Sequence, residues 1–427
     1  MNIQFSNYKT TNVPSFKGYD ARNLRGFLMA SNYGNIANIL SKIGKKEGFD
    51  VFIIDGINPV YTAGDLKITE KFTGEWVQDF ITILKDNKLL SSDIGSMDHV
   101  LSFFNLKLDK VQKYLYEKFD FNKYRNILKK LSNATPINEN EFKISTTDGK
   151  EMILSMDELI KEHNKIFTQM NTIASDSHIQ GGNVFIAKNK EGKELILVGH
   201  NEFVKFYTDD ISQMFSNRNI EFIPQADFHL DMFMRPLNNG KILLADDNLT
   251  LKLLDDFAIR LNDCLNNSEY TNHKKEVKKI IKEIKSFKNE FKNELSKNSY
   301  EKTTIVEEKL QKLGFDVIKV PGRCYYTENE SLNHLMNFMN ANVLVNKDNE
   351  LVYITNEPFL EIMTNSQSAV IKKLKILLQN EFYKYIEPYV KKEHTYFISG
   401  ENNALTELLL ELRGGIHCLC TEIPKFN

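Results

Sequence analysis

Strand-like runs paired across polar turns, with helical periodicity between the pairs, constrain this chain more than any other feature. GGNVFIAK (181–188) and KELILVG (193–199) flank NKEG, HLDMFMRPL (229–237) and KILLAD (241–246) flank NNG, and ANVLVN (341–346) and ELVYIT (350–355) flank KDN. Asparagine, aspartate and glycine at such turns supply the backbone conformations that hairpins need. Further runs read as strands at 50–56, 74–84, 149–155, 220–224, 315–320, 394–399 and 416–420. Helical periodicity appears at 34–46, 98–131, 156–170, 250–264, 271–297, 301–313 and 366–381. Repeated hairpin-plus-helix units predict an α/β fold, without the regular βαβ alternation and glycine-rich turn of a dinucleotide fold.

With 427 residues, 41% of them hydrophobic and 26% charged, the chain has ample material for a buried core. A net charge of −2 gives no global attraction to nucleic acid or to an anionic membrane. No window approaches the roughly 20 apolar residues of a membrane span. The opening MNIQFSNYKTTNVPSFKGYD lacks the basic and apolar runs of a secretory signal. Cys264, Cys324, Cys418 and Cys420 are too few for a disulfide framework and predict a reducing, cytoplasmic setting. The segments at about 98–170 and about 250–313 read as helical insertions in one domain spanning 1–427. Within 271–297, Val277, Ile280, Ile281, Ile284, Phe287, Phe291 and Leu295 form an apolar face opposite lysines. The interspersed glutamates favour a solvated outer face over a docking one.

Reactive residues fall on four stretches. GEWVQDF (74–80) holds the only tryptophan, Trp76, and sets Asp79 among Val77, Phe80 and Ile81. An acid buried there needs a cationic or hydrogen-bonding group facing it. In ADFHLDMFM (226–234), strand alternation would turn His229 and Asp231 to one face, with Phe228 and Leu230 on the other. HIQGGNVFI (178–186) carries paired glycines that permit close backbone approach. In GGIHCLC (414–420), strand alternation would give Cys418 and Cys420 a common face and turn His417 away, so His417 receives no chemistry. Each stretch also has a structural reading: a core tryptophan, an acid bonded to an amide, a chance His-X-Asp. Zinc needs clustered ligands, and the other cysteines stand alone, so neither metal nor cofactor is expected. Jointly, two carboxylates, a histidine and a cysteine suit nucleophilic substitution at a guanidinium carbon. Carboxylates grip that planar cation bidentately and the cation favours a thiolate. Acyl transfer would instead call for donors facing an oxyanion.

These residues carry a resemblance. GGIHCLCTEIP resembles the C-terminal nucleophile motif of the guanidine-modifying (pentein) superfamily, HLDMF its His-X-Asp motif, and EWVQDF the Trp-X-Gln-Asp stretch of peptidylarginine deiminases. GGNVFIAKNKEGKELILVG is similar to its Gly-Gly hairpin, and MNFMNANVLV (336–345) to its asparagine-rich strand upstream of the cysteine. The resemblance implies a five-bladed αβ propeller of pseudo-fivefold ββαβ units with helical insertions, whose central channel gathers reactive groups from several blades. It implies Cys418 as the nucleophile that forms a thiouronium intermediate, and Asp79 and Asp231 as the guanidinium clamp. It further implies His229 as acid and then base, and Trp76 against the substrate's methylene arm. The implied activity is that of a hydrolase deiminating arginine, agmatine or peptidyl-arginine to a ureido product such as citrulline, with release of ammonia. An amidinotransferase would keep the same cysteine chemistry, and a binding or regulatory protein would use the scaffold without turnover. The implied partners are guanidinium compounds, with no nucleic acid and no membrane; a homodimer is compatible with this reading.

Four positions depart from the family pattern. Gln180 stands where arginine and agmatine deiminases usually have an acid before the glycine pair, and Glu75 where a basic residue is typical. Phe80 and Thr82 replace acids of the calcium-dependent peptidylarginine deiminases, and neither is a good calcium ligand. Turnover is therefore expected to be the same in chelator and in millimolar calcium, and an assay under both conditions checks it.

Overall fold

Asparagine and glycine close the three expected hairpins. Asn189 Oδ1 accepts from the backbone N–H of Glu191 and Lys193, and Asn346 Oδ1 from those of Asp348 and Glu350. Asn239, Gly240 and Asn349 take positive φ values of 56°, 73° and 60°, the left-handed region these residue types tolerate best. The structure is a computed structural model. It describes residues 22–30, 34–54, 61–63, 66–68, 81–83, 89–92, 134–138, 141–145, 151–155, 172–175, 181–200, 219–297, 302–328, 331–358, 369–398 and 414–424.

Among the described residues one three-stranded pattern occurs five times. Two strands pair antiparallel, and one of them pairs in parallel with a third beyond a crossover. Three such sets are Val184–Lys188, Glu194–His200 and Ile220–Pro224; Met234–Pro236, Lys241–Ala245 and Asp316–Val320; and Asn342–Val345, Leu351–Asn356 and Thr395–Ile398. A fourth joins Ile81–Ile83, Leu89–Ser92 and Thr172–Ser175. The fifth unites distant segments: Thr421–Pro424 runs antiparallel to Arg22–Ala30, which pairs in parallel with Asp50–Ile54. Arg22 and Asn23 pair in addition with Leu344 and Val345. The fold is thus mixed α/β, and no sheet closes on itself among the described residues.

Parallel neighbours require crossovers, and helices supply them. Gly34–Glu47 links the first two strands, and Ala369–Ile386 precedes Thr395–Ile398. Asp247–Asn266, Lys274–Lys297 and Thr303–Lys312 lie between Lys241–Ala245 and Asp316–Val320. Their apolar stripes enter one core: Leu253, Phe257 and Leu261 from the first, Val277, Ile280, Ile284 and Phe291 from the second, Val306 and Leu310 from the third. Lys275, Lys278, Lys282 and Lys285 stay exposed, which is the solvated-face arrangement. A second core gathers Phe27, Met29, Ile36, Leu40, Leu344, Ile354, Ile416, Leu419 and Cys420.

The structure differs from sequence expectation in several places. Inside 98–170, read as mainly helical, Ala134–Pro136, Glu141–Ser145 and Glu151–Ser155 form an antiparallel meander; 98–133 and 156–170 lie outside the described residues. The strands Arg22–Ala30, Arg323–Glu328 and Ser331–Asn337 escape a hydrophobic-pattern reading because polar residues interrupt them. Some of those interruptions have partners inside the protein. Arg323 is buried and donates to Ala226 O (2.5 Å) and Asp227 Oδ2 (3.0 Å), with Asp247 at 3.3 Å. Finally, 416–419 is a turn within the strand expected over 416–420, with Thr421 opening the strand that follows.

Removing one partner of a buried ion pair leaves an uncompensated charge, at a cost of about 3–5 kcal/mol. Arg323→Met is expected to lower stability by roughly that amount in a urea titration, because Asp227 is itself fully buried.

Candidate active site

Two glycine-bearing turns and one asparagine-rich stretch bring the reactive residues together. Leu230–Met232 folds as a 3-10 turn before the strand Met234–Pro236. His229 and Asp231 therefore do not lie on one strand face as alternation predicts, yet they meet. A Cβ placed on Gly182 would stand 2.9 Å from His229 Nδ1 and 3.0 and 3.1 Å from the two Asp231 oxygens. Only a residue without a side chain allows that approach. Asn183 holds the same turn: its Oδ1 accepts from Gln225 Nε2 (2.9 Å) and from Leu230 N (3.3 Å).

Cys418 arrives on the turn 416–419. Asn356 Oδ1 accepts from Ile416 N (2.8 Å), Asn340 Oδ1 from His417 N (2.9 Å), and Asn342 Nδ2 donates to Ile416 O (3.2 Å). Asn337 in turn accepts from Asn340 N at 3.0 Å. All four asparagines are buried, and their amides satisfy a turn that has no strand ladder of its own. A Cβ on Gly415 would come within 2.6 Å of Asn340 and Asn356, so this glycine too is set by close approach.

Asp231 Oδ2 is the meeting point. It accepts from Asn340 Nδ2 at 2.9 Å and His417 Nδ1 at 2.8 Å, and the Cys418 thiol points to it at 3.3 Å. Asn340 Nδ2 also donates to Cys418 Sγ at 3.1 Å. Beyond His417, Arg235 Nη1 lies 2.5 Å from His417 Nε2, and Arg235 Nη2 pairs with Glu422 at 3.2 Å. Phe185 covers the guanidinium at 5.1 Å. Burial, then the charges of Arg235 and His229, hold the His417 pKa well below the usual imidazole range, so the ring is neutral.

Of the residues expected from sequence, Cys418, His229 and Asp231 thus share one neighbourhood. Asp79 and Trp76 lie outside the described residues, although the strand Ile81–Ile83 packs beside Thr421–Pro424. His417, expected to turn away, bonds Asp231 directly, because alternation does not apply on a turn. Cys420 does not share a face with Cys418: it sits in the second core beside Leu419, where burial pushes its thiol pKa up. Asn340 and Arg235 were not singled out as site residues. Asn340 lies in the asparagine-rich stretch and Arg235 four residues beyond Asp231, but neither spacing identifies a contact without the fold. Among the described residues no group of three or more His, Cys, Asp or Glu is disposed to hold a metal ion. Nor is any described helix long and apolar enough to cross a membrane.

No protein-family model matches the chain, and no curated protein matches it. Among solved structures it is similar to a C. jejuni agmatine deiminase, with 11% identity, 95% of each chain covered and a TM-score of 0.42. A substrate-bound form of that enzyme gives 12% and 0.39, again over 95% of each chain. The N-terminal domain of ArgZ, covalently bound to a reaction intermediate, gives 12% and 0.36 over 95% of this chain and 98% of that one.

Gly182→Ala is expected to overpack the turn, displacing His229 and Asp231 by a few tenths of an ångström. The expected loss is about 1–3 kcal/mol of stability, checked by denaturant titration, with the displacement read from a crystal structure of the variant.

Proposed function

We propose that the chain is a deiminase that hydrolyses the guanidinium group of arginine or an arginine derivative, free or peptidyl, to a ureido product and ammonia. The observation that carries this reading is the contact of Cys418 Sγ with the Asp231 carboxylate, both buried and both bonded by Asn340. A thiol and a carboxylate placed so close serve a cationic electrophile. The guanidinium supplies donors that the carboxylate accepts, and its positive charge favours loss of the thiol proton.

In the first half-reaction the Cys418 thiolate adds to the guanidinium carbon. One C–N bond then breaks, and His229 gives its proton to the departing nitrogen, which leaves as ammonia. In the second, His229 takes a proton from water, the resulting hydroxide adds to the thiouronium carbon, and the C–S bond breaks to release the ureido product and Cys418. Asp231 and Asp79 hold the remaining nitrogens throughout, and Trp76 lies along the methylene arm. Asn340 donates to the sulfur and steadies the negative charge it carries before attack. On this reading the five three-stranded units are blades of an αβ propeller, and 1–427 is one domain with elaborations at about 98–170 and about 250–313.

The decisive assay measures ammonia and ureido product from free arginine, agmatine and an arginine peptide, without added amine. Turnover of at least one, abolished by Cys418→Ser and largely kept by Cys420→Ser, is expected; loss in the Cys420 variant alone would move the nucleophile. Asp231→Asn is expected to lower kcat/KM by roughly 10- to 100-fold, the worth of one charge-assisted hydrogen bond, with KM and kcat both affected.

A further inference from the structure

We infer that His417 is a positioning residue: clamped between Arg235 and Asp231, it presents its Nδ1–H to the carboxylate that faces the nucleophile. The inference rests on the deiminase reading of this site and names residues which that reading does not use. Arg235 is buried on the strand Met234–Pro236, anchored by Glu422 of the strand Thr421–Pro424 and covered by Phe185. A guanidinium has N–H groups and no acceptor. At 2.5 Å from Arg235 Nη1, His417 Nε2 therefore presents its lone pair. A neutral imidazole carries one proton, which is then on Nδ1, 2.8 Å from Asp231 Oδ2. The donor and acceptor roles along Glu422, Arg235, His417 and Asp231 all follow from that single constraint.

His417 thus acts through Asp231 and transfers no proton itself. Three groups converge on Asp231 Oδ2: His417 Nδ1, Asn340 Nδ2 and the Cys418 thiol. Taking away the imidazole donor concentrates the carboxylate's charge on the remaining two and strengthens its hold on the thiol proton. The Cys418 thiolate then forms at higher pH. Among the described residues the charged or titratable groups around this centre are Asp231, His229, His417 and Arg235, with Glu422 and Tyr353 beside Arg235.

Two amide substitutions separate this role from simple core filling. Asparagine at 417 brings an N–H close to the position of Nδ1, and glutamine brings its amide to the position of Nε2. His417→Asn keeps the bond to Asp231 and gives up the acceptor for Arg235, whereas His417→Gln does the reverse. The readout is the pH midpoint of iodoacetamide alkylation at Cys418, mapped by mass spectrometry on the full chain without substrate. It is measured beside kcat/KM for the best guanidinium substrate. His417→Asn is expected to keep the wild-type midpoint, and His417→Gln to raise it by about one pH unit with about tenfold lower kcat/KM. Equal midpoints in all three proteins, or a shift in the asparagine variant alone, would overturn the inference; the latter would make Arg235 the partner that matters. Should the alkylation order hold while the wild type releases ammonia from no guanidinium compound, the positioning role stands and the deiminase reading falls. Ammonia release with the alkylation order reversed leaves the deiminase and removes the positioning role.

Discussion

Asp231 has no exposure to solvent, and a carboxylate in such a place is costly unless donors surround it. Here the donors come from far along the sequence. Asn340 follows the strand Ser331–Asn337, and His417 and Cys418 share the turn ahead of Thr421–Pro424. The backbone around Asp231 is shaped to the same end, since Gly182 lets a neighbouring turn approach to contact distance. Much of the surrounding architecture can be understood as the means of presenting one acid to one sulfur.

The choice of amides for the supporting shell has a physical reason. Asn183, Gln225, Asn337, Asn340, Asn342 and Asn356 each donate or accept without adding charge. On the proposed reading, acids in their places would compete with Asp231 for a cation and oppose a thiolate, and lysines would neutralise the carboxylate. Arg235, a full positive charge bonded into this network, reaches Asp231 through a neutral imidazole and has Glu422 at its other side. It orders the ring without occupying the carboxylate that a substrate would need.

The hairpins were legible in the sequence because Asn189, Asn239 with Gly240, and Asn349 announce their turns chemically. The crossover helices were legible because apolar residues such as Val277, Ile280 and Ile284 recur at helical spacing. Cys418, His229 and Asp231 were legible as motifs, though the geometry joining them was not. Both motifs were read as strands, and both are turns, held by side-chain amides whose partners are distant in sequence. Strand alternation therefore misplaced His417 and Cys420, while Asn340 stood in a recognisable asparagine-rich stretch but its role depends on where residue 418 comes to rest. The strands carrying Arg323 and Asn337 were hidden for a related reason: their polar side chains answer groups on other elements.

The strand that follows Cys420 pairs with Arg22–Ala30, almost the whole length of the chain away. Contacts of such long separation form late, since the loop they close must first lose its freedom. A chain still emerging from the ribosome has the early strand but not Glu422, the turn at 416–419 or the sulfur it carries. On the proposed reading the Cys418 thiol is armed only when these two distant segments find each other, because the turn that sets it against Asp231 leads directly into the strand paired with Arg22–Ala30.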